Sequence, residues 1–229
     1  MTRYAIGDIH GGSRTFRALL DRIQLRHTDR LYLLGDYVDR GNDSKGVLDI
    51  ILQLMDSGYD VRPIRGNHDD LMLRGFTGKH DEFSGYWLRL WGNETLKSFG
   101  VESLNDLKTR YITLLDVLPY CREDGNFFFV HAGLDMTMDD PLTQTTPAQM
   151  LWGDAAFINS RPCADKIIES GHKIRSVTQI EQSLTSHHIQ IDNGAFYQDE
   201  YPHTGNLVAL NLDAMQLTFQ PWLDGEEIE

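Results

Sequence analysis

Asp8 and His10 stand two apart on a glycine-flanked turn, Gly7-Asp8-Ile9-His10-Gly11, so a carboxylate and an imidazole could reach one cation from a tight loop. That donor mixture suits Mn, Fe or Zn better than Ca, which takes oxygen alone. Asp36 holds the corresponding place in Gly35-Asp36-Tyr37-Val38-Asp39-Arg40-Gly41, and its two oxygens could bridge two cations. Asn67, in Gly66-Asn67-His68-Asp69, offers an amide oxygen, and His131 and His172 offer ring nitrogens for the second cation. Each of these has a plain alternative. A single Gly-Asp-x-His-Gly can be a strand-ending turn, and a single His after a strand is more often a hydrogen-bonded surface residue. Only the set points to metal.

Two cations held this way lower the pKa of a bound water, and the resulting hydroxide could attack phosphorus in line while the cations neutralise developing charge. No protein nucleophile is needed. His68 directly follows Asn67, which puts its ring at the rim of the metals, where it could give a proton to the leaving oxygen. Asp39 is a candidate to hydrogen-bond and orient that ring; its alternative is a turn carboxylate capping Gly41 and Asn42. Arg40 presents a planar guanidinium able to grip two phosphate oxygens. Arg161, between His131 and His172, is a second candidate clamp, whereas Arg65 reads equally well as a structural ion pair.

The elements that must position these residues follow from the apolar pattern. Strands are expected over residues 3–6, 31–34, about 60–64, 127–130 and 166–168, with further strands near 189–191, 207–212 and 216–219. Every polar cluster falls just after a strand, and ligands of open α/β sheets gather outside the carboxyl ends of strands. Ser13 is a plausible N-cap for a helix carrying Phe16, Leu19, Leu20 and Ile23, and residues 47–55 form a second helix stopped at Gly58. From about 71 to 119 the pattern is mostly helical and reads as an insertion; Trp87 and Trp91, four apart, are expected in the core. His187 and His188 are expected at the surface, because neighbours on a strand point to opposite faces.

The 229 residues are read as one catalytic domain, 1–229. The formal net charge of -13 excludes a protein that binds nucleic acid through a basic surface. Cys121 and Cys163 are too few for a disulfide framework, no apolar run is long enough for a membrane span, and no leader-like segment opens the sequence; a cytoplasmic protein is expected. There is no GxxxxGK[ST] loop and no GxSxG elbow. Oligomeric state leaves no trace in the sequence.

Together with His131-Ala132-Gly133, the three glycine-flanked motifs resemble the ordered motifs of calcineurin-like metallophosphoesterases, and more narrowly the phosphoprotein serine/threonine phosphatases, including compact bacterial and phage members. The resemblance runs from Gly7 to His172. It implies a four-layer α/β/β/α sandwich in which Asp8, His10 and Asp36 bind one metal and Asp36, Asn67, His131 and His172 the other. By the same likeness His68 and Asp39 are the acid pair, Arg40 contacts phosphate, and Mn is the usual activating ion, with Fe or Zn as alternatives. Two positions depart from the pattern: Asp69 stands where Glu is usual, and Lys173 follows His172 where Thr is common.

A serine/threonine protein phosphatase acting on a phosphorylated protein or a small phosphoester is therefore the leading expectation. A symmetrical dinucleoside polyphosphate hydrolase is the alternative, disfavoured because its loop commonly carries Asn at the place of Asp39. A catalytically silent scaffold would have lost ligands or the acid His, all of which are present.

Overall fold

The protein is described here from a computed structural model covering residues 1–77, 87–153, 163, 165–197 and 202–225. Strands β1 (Arg3–Ile6), β2 (Arg30–Leu33) and β3 (Asp60–Pro63) pair in parallel, joined by helices α1 (Ser13–Ile23) and α2 (Ser44–Asp56). Parallel neighbours need such crossovers. The antiparallel pair β8 (Asn206–Asn211) and β9 (Gln216–Pro221) extends the sheet to the order β3-β2-β1-β8-β9.

Between them in the chain lie α3 (Asn67–Phe76), α4 (Asn93–Phe99) and α5 (Thr109–Asp116). A second sheet follows, ordered β4-β5-β6-β7, from β4 (Cys121–Asp124), β5 (Phe127–Val130), β6 (Ile167–Ser170) and β7 (His188–Gln190). The short helices α6 (Pro141–Gln144), α7 (Pro147–Trp152) and α8 (Val177–Ser183) connect its strands. β4 lacks any apolar alternation and escapes a sequence reading; it forms because its backbone pairs with β5 across the left-handed Gly125 (φ 61°).

Period-two alternation separates the layers. Leu31 and Leu33 face α1 and α2, while Tyr32 and Leu34 face the other sheet. Phe127 and Phe129 meet them there, with the Tyr32 and Phe129 rings stacked at 3.9 Å, while Phe128 and Val130 turn outward to Met150 of α7. Three apolar layers between four structural ones make the α/β/β/α sandwich. No helix among the described residues is long and apolar enough to cross a membrane.

Two local expectations change. Ser13 does not cap α1: its Oγ donates to Asp43 Oδ2 at 2.6 Å. The first-turn N–H groups of Arg14 and Thr15 donate instead to Asp224, each at 2.9 Å, so a carboxylate over two hundred residues away satisfies this helix end. His188 is buried, not superficial, and its Nε2 lies 2.7 Å from Ser170 Oγ. His187 is exposed as expected. Both faces of this second sheet are covered, so His188, on the outer face beside Ile168, is enclosed as well.

Candidate metal centre and active site

The loops after β1, β2, β3, β5 and β6 converge on one edge of the sandwich and bring Asp8, His10, Asp36, Asn67, His131 and His172 together. His10 Nε2 lies 3.5 Å from Asp36 Oδ2 and 4.0 Å from Asp8 Oδ2. On the other side of Asp36, Oδ1 lies 3.5 Å from His131 Nε2. The Asn67 amide oxygen is 2.7 Å from His131 Nε2 and 3.1 Å from His172 Nδ1. Two groups of donors suited to a cation result, His10–Asp36–His68 and Asp36–His131–His172, and Asp36 belongs to both.

Bringing these side chains inward requires unusual backbone. His10, Asp36, Asp39, Arg40 and His172 all have positive φ, between 47° and 70°, five of the eight described non-glycine residues that do. Such conformations cost free energy and gather where packing over-determines them. Close approach of loops sets the glycines. A Cβ on Gly66 would come within 2.2 Å of Asp36, and one on Gly171 within 1.9 Å of Asp8 Oδ1.

The donor set suits cations on electrostatic grounds. Asp8, Asp36 and Asp192 are all buried together. Burial pushes the Asp8 carboxyl well up, and the Asp192 and Asp36 charges add to the effect. Burial also pushes Asp192 up to about 6, again with Asp36 contributing. The imidazoles go the other way, as burial lowers His10 and His131 and brings His172 to about 3. His10 Nδ1–H donates to the Val38 carbonyl at 3.1 Å and His131 Nδ1–H to the Leu34 carbonyl at 2.8 Å. That leaves bare Nε2 lone pairs aimed inward, the orientation a ligating histidine needs. His131 Nε2 then faces the Asn67 oxygen acceptor to acceptor, an arrangement that a cation between them would relieve.

His68 is placed differently. Its Nδ1 is 2.7 Å from Asp39 Oδ2. Burial opposes a charged ring, but the Asp36 charge and the Asp39 hydrogen bond outweigh it and raise the His68 pKa above its ordinary value. Asp39 itself is fully buried and accepts from Trp87 Nε1 at 2.6 Å and Thr95 Oγ1 at 2.6 Å. It therefore does not cap the Gly41–Asn42 turn.

Trp87 is in the core as expected, but Trp91 is not. It lines a cavity of about 180 Å³ together with His10, Asp36, Arg40, His68 and His172. The Trp91 ring lies 4.6 Å from that of His68, and the Arg40 guanidinium sits between the Trp91 and Tyr197 rings at 5.5 and 5.1 Å. Arg40 donates through an Nη to the Tyr197 hydroxyl, and its buried Nε has no hydrogen-bond partner among the described residues. Arg65 takes the structural reading, bonded to Asp70, Tyr120 and the carbonyls of Leu115 and Asp116. Arg161 lies outside the described residues.

A sequence reading missed Asp192, Trp87, Thr95 and Tyr197 as contributors to this site. Asp192 follows a strand, as the other clusters do, and that placement was the available signal; Trp87, Thr95 and Tyr197 carry none. Asp69 braces the site from beneath, accepting the backbone N–H groups of Asp36, Tyr37 and Gly66 at 2.9, 3.0 and 2.9 Å. Its short carboxylate reaches all three.

Fold and site together define a phosphoesterase of the calcineurin-like class. The sequence profile of the calcineurin-like phosphoesterase family matches residues 1–202, and the chain belongs to that family. Among solved structures, it is similar to a protein provisionally described as a diadenosine tetraphosphatase, with a TM-score of 0.70, 19% identity and coverage of 98% of this chain and 95% of that one. A serine/threonine phosphatase from Saccharomyces cerevisiae gives a TM-score of 0.69 at 16% identity, covering 100% and 82%. At such identities the likeness establishes the fold alone.

Sequence relatives are more discriminating. The symmetrical bis(5'-nucleosyl)-tetraphosphatase of Nitrosomonas europaea is 47% identical over 135 residues, 58% of this chain and 45% of that protein. The enzyme of the same name from Nitrosospira multiformis is 37% identical over 138 residues, 58% of this chain and 44% of its own length. The chain thus spans less than half the length of either relative. These matches overturn the expectation of a serine/threonine protein phosphatase. Asp39, the residue that favoured it, bonds the His68 ring, a contact that does not itself distinguish an alcohol from a phosphate as leaving group.

Proposed function

We propose that this chain hydrolyses a dinucleoside tetraphosphate symmetrically, cleaving the central phosphoanhydride to give two nucleoside diphosphates. The observation that carries this reading is the 47% identity to the symmetrical tetraphosphatase of Nitrosomonas europaea. A single catalytic domain is envisaged over residues 1–229, in a reducing cytoplasm, consistent with a sequence of two cysteines, too few for a disulfide framework.

In this proposal Asp8, His10 and Asp36 hold one divalent cation and Asp36, Asn67, His131 and His172 the other, with Mn as the activating ion and Fe or Zn able to replace it. When bound, the pair supplies an activated water and Lewis acidity toward the phosphoryl oxygens. Arg40, held between two aromatic rings, grips non-bridging oxygens and orients the phosphate chain. His68 carries its transferable proton on Nε2, since Nδ1 is engaged by Asp39, and gives it to the departing oxygen. Asp39, accepting from Nδ1–H, orients the ring and favours its doubly protonated form. Trp91 packs beside His68 and limits water at the acid.

The test is a comparison of kcat/KM for diadenosine tetraphosphate, a phosphoserine peptide and a phosphotyrosine peptide on Mn-reconstituted protein. Diadenosine tetraphosphate should dominate, with ADP as the product. A phosphopeptide preference, or ATP plus AMP as products, would overturn the reading.

A further inference from the structure

The cavity that contains the site residues is too small for the substrate proposed above. Its volume is about 180 Å³, below the roughly 300–1,000 Å³ typical of sites that enclose a whole drug-sized ligand, and a dinucleoside tetraphosphate is larger than that. The cavity can house the reacting phosphates, while the nucleosides must extend out of it.

A second hollow of about 530 Å³ adjoins it, lined by His172, Lys173, Ile174, Ser176, Pro202 and Thr204 among others. His172 and Ile174 line both spaces. The two therefore meet beside a residue that faces Asn67 in the candidate metal centre. Cations divide between them: Arg40 borders the first alone and Lys173 the second alone. A substrate cleaved at its centre needs this layout, because its phosphate chain continues away from the scissile bond in both directions. A monoester needs only one.

We propose that the Lys173 hollow is the subsite for the second nucleotide arm, with the Lys173 ammonium neutralising a phosphate of that arm and the adjoining Ser176 and Thr204 hydroxyls lying along its nucleoside. The first arm leaves past Arg40 over the Trp91 and Tyr197 rings. Lys is well suited to this task, since a mobile phosphate chain asks for a point charge on a flexible stem more than for a rigid fork. Ser176 and Thr204 are half-buried at the wall of this hollow. The inference rests on the dinucleoside tetraphosphate reading and assigns that substrate a second binding arm.

The deciding experiment compares wild type, Lys173→Gln and Lys173→Arg on diadenosine tetraphosphate and on p-nitrophenyl phosphate, a one-armed monoester with no phosphate beyond the scissile one. For Lys173→Gln, the ratio of kcat/KM for the two-armed over the one-armed substrate should fall about tenfold, chiefly through KM, and Lys173→Arg should recover most of it. The dissociation constant of diadenosine tetraphosphate, measured by equilibrium dialysis in a slowly turning-over His68→Asn background, should rise by a similar factor. An unchanged ratio alongside normal wild-type cleavage would overturn the subsite and leave the proposed activity standing. Failure of wild type to cleave diadenosine tetraphosphate would overturn both.

Discussion

The indole N–H of Trp87 donates to Asp39 Oδ2 at 2.6 Å, the same oxygen that lies 2.7 Å from His68 Nδ1. A helical segment distant in sequence from the strand-end loops thus helps to fix the Asp39–His68 pair. Trp87 is fully buried, so the bond is shielded from water and competes with none.

Two substitutions test His68 and its support separately. His68→Asn should lower turnover by about 10²–10⁴, the usual range for losing a general acid, with metal content close to wild type. The loss should be smaller on diadenosine tetraphosphate than on a phosphoserine peptide, because a diphosphate leaving group is a weak base, with a phosphate second pKa of about 6. Trp87→Phe should lower turnover by less, and reduce stability by about 1–3 kcal/mol through the lost hydrogen bond to a charged group. Equal turnover in His68→Asn and wild type would remove its role.

Asp36 stands in both donor groups, so Asp36→Asn should weaken two cations at once. Elemental analysis after dialysis should find both depleted, whereas His131→Asn should deplete chiefly one. Treatment with EDTA should abolish activity and Mn should restore it. Two metals retained by Asp36→Asn would count against a shared carboxylate.

Gly171→Ala tests whether loop contact positions Asp8. Its new Cβ would sit 1.9 Å from Asp8 Oδ1, and the His172 N–H that donates to both Asp8 oxygens at 3.1 Å would be displaced. Metal affinity should fall at least about tenfold, comparable to losing an outer-shell partner. Gly100→Ala, with nothing within 4 Å of its Cβ but φ of 67°, should cost about 1 kcal/mol and leave metal affinity alone.

Glu169 predicts a pH-dependent change in stability. It is fully buried, and neither carboxylate oxygen has a hydrogen-bond partner among the described residues; burial pushes its pKa well up. A raised carboxyl binds its proton more tightly when folded, so the folded state loses stability as pH climbs above the unfolded pKa, by at most about 1.4 kcal/mol per pH unit. Glu169→Gln should therefore gain in Tm relative to wild type between pH 5 and pH 8. His188 acts oppositely. Burial holds it down at about 3, so its contribution is complete above its unfolded pKa, near 6.5, and is lost as pH falls from there toward 3. His188→Gln should flatten the acid side of the stability profile. A Tm difference between Glu169→Gln and wild type that is constant from pH 5 to 8 would contradict the buried-acid account.

Much of the site was legible beforehand because its signals are local. A carboxylate or imidazole directly after an apolar strand is bound to lie near that strand's end, so Asp8, Asp36, Asn67 and His131 could be expected to converge. The helical segment was legible as helix, but which of its faces meets the site was not. Trp87 and Trp91 share a spacing, yet one bonds Asp39 from the core and the other borders the cavity, because that choice depends on how the segment lies over the first sheet.

From the sequence alone came the strand-loop rhythm, the donor types and their order, since each depends on neighbours a few residues apart. Tertiary structure alone decided the long-range arrangement: Asp224 capping α1, Tyr197 holding Arg40, the Lys173 hollow opening beside His172, and Glu169 enclosed with no hydrogen-bond partner among the described residues. Periodicity and turn chemistry act over one element. Which side chains meet across elements follows from how two twisted sheets and their helices close together, and no local pattern records that.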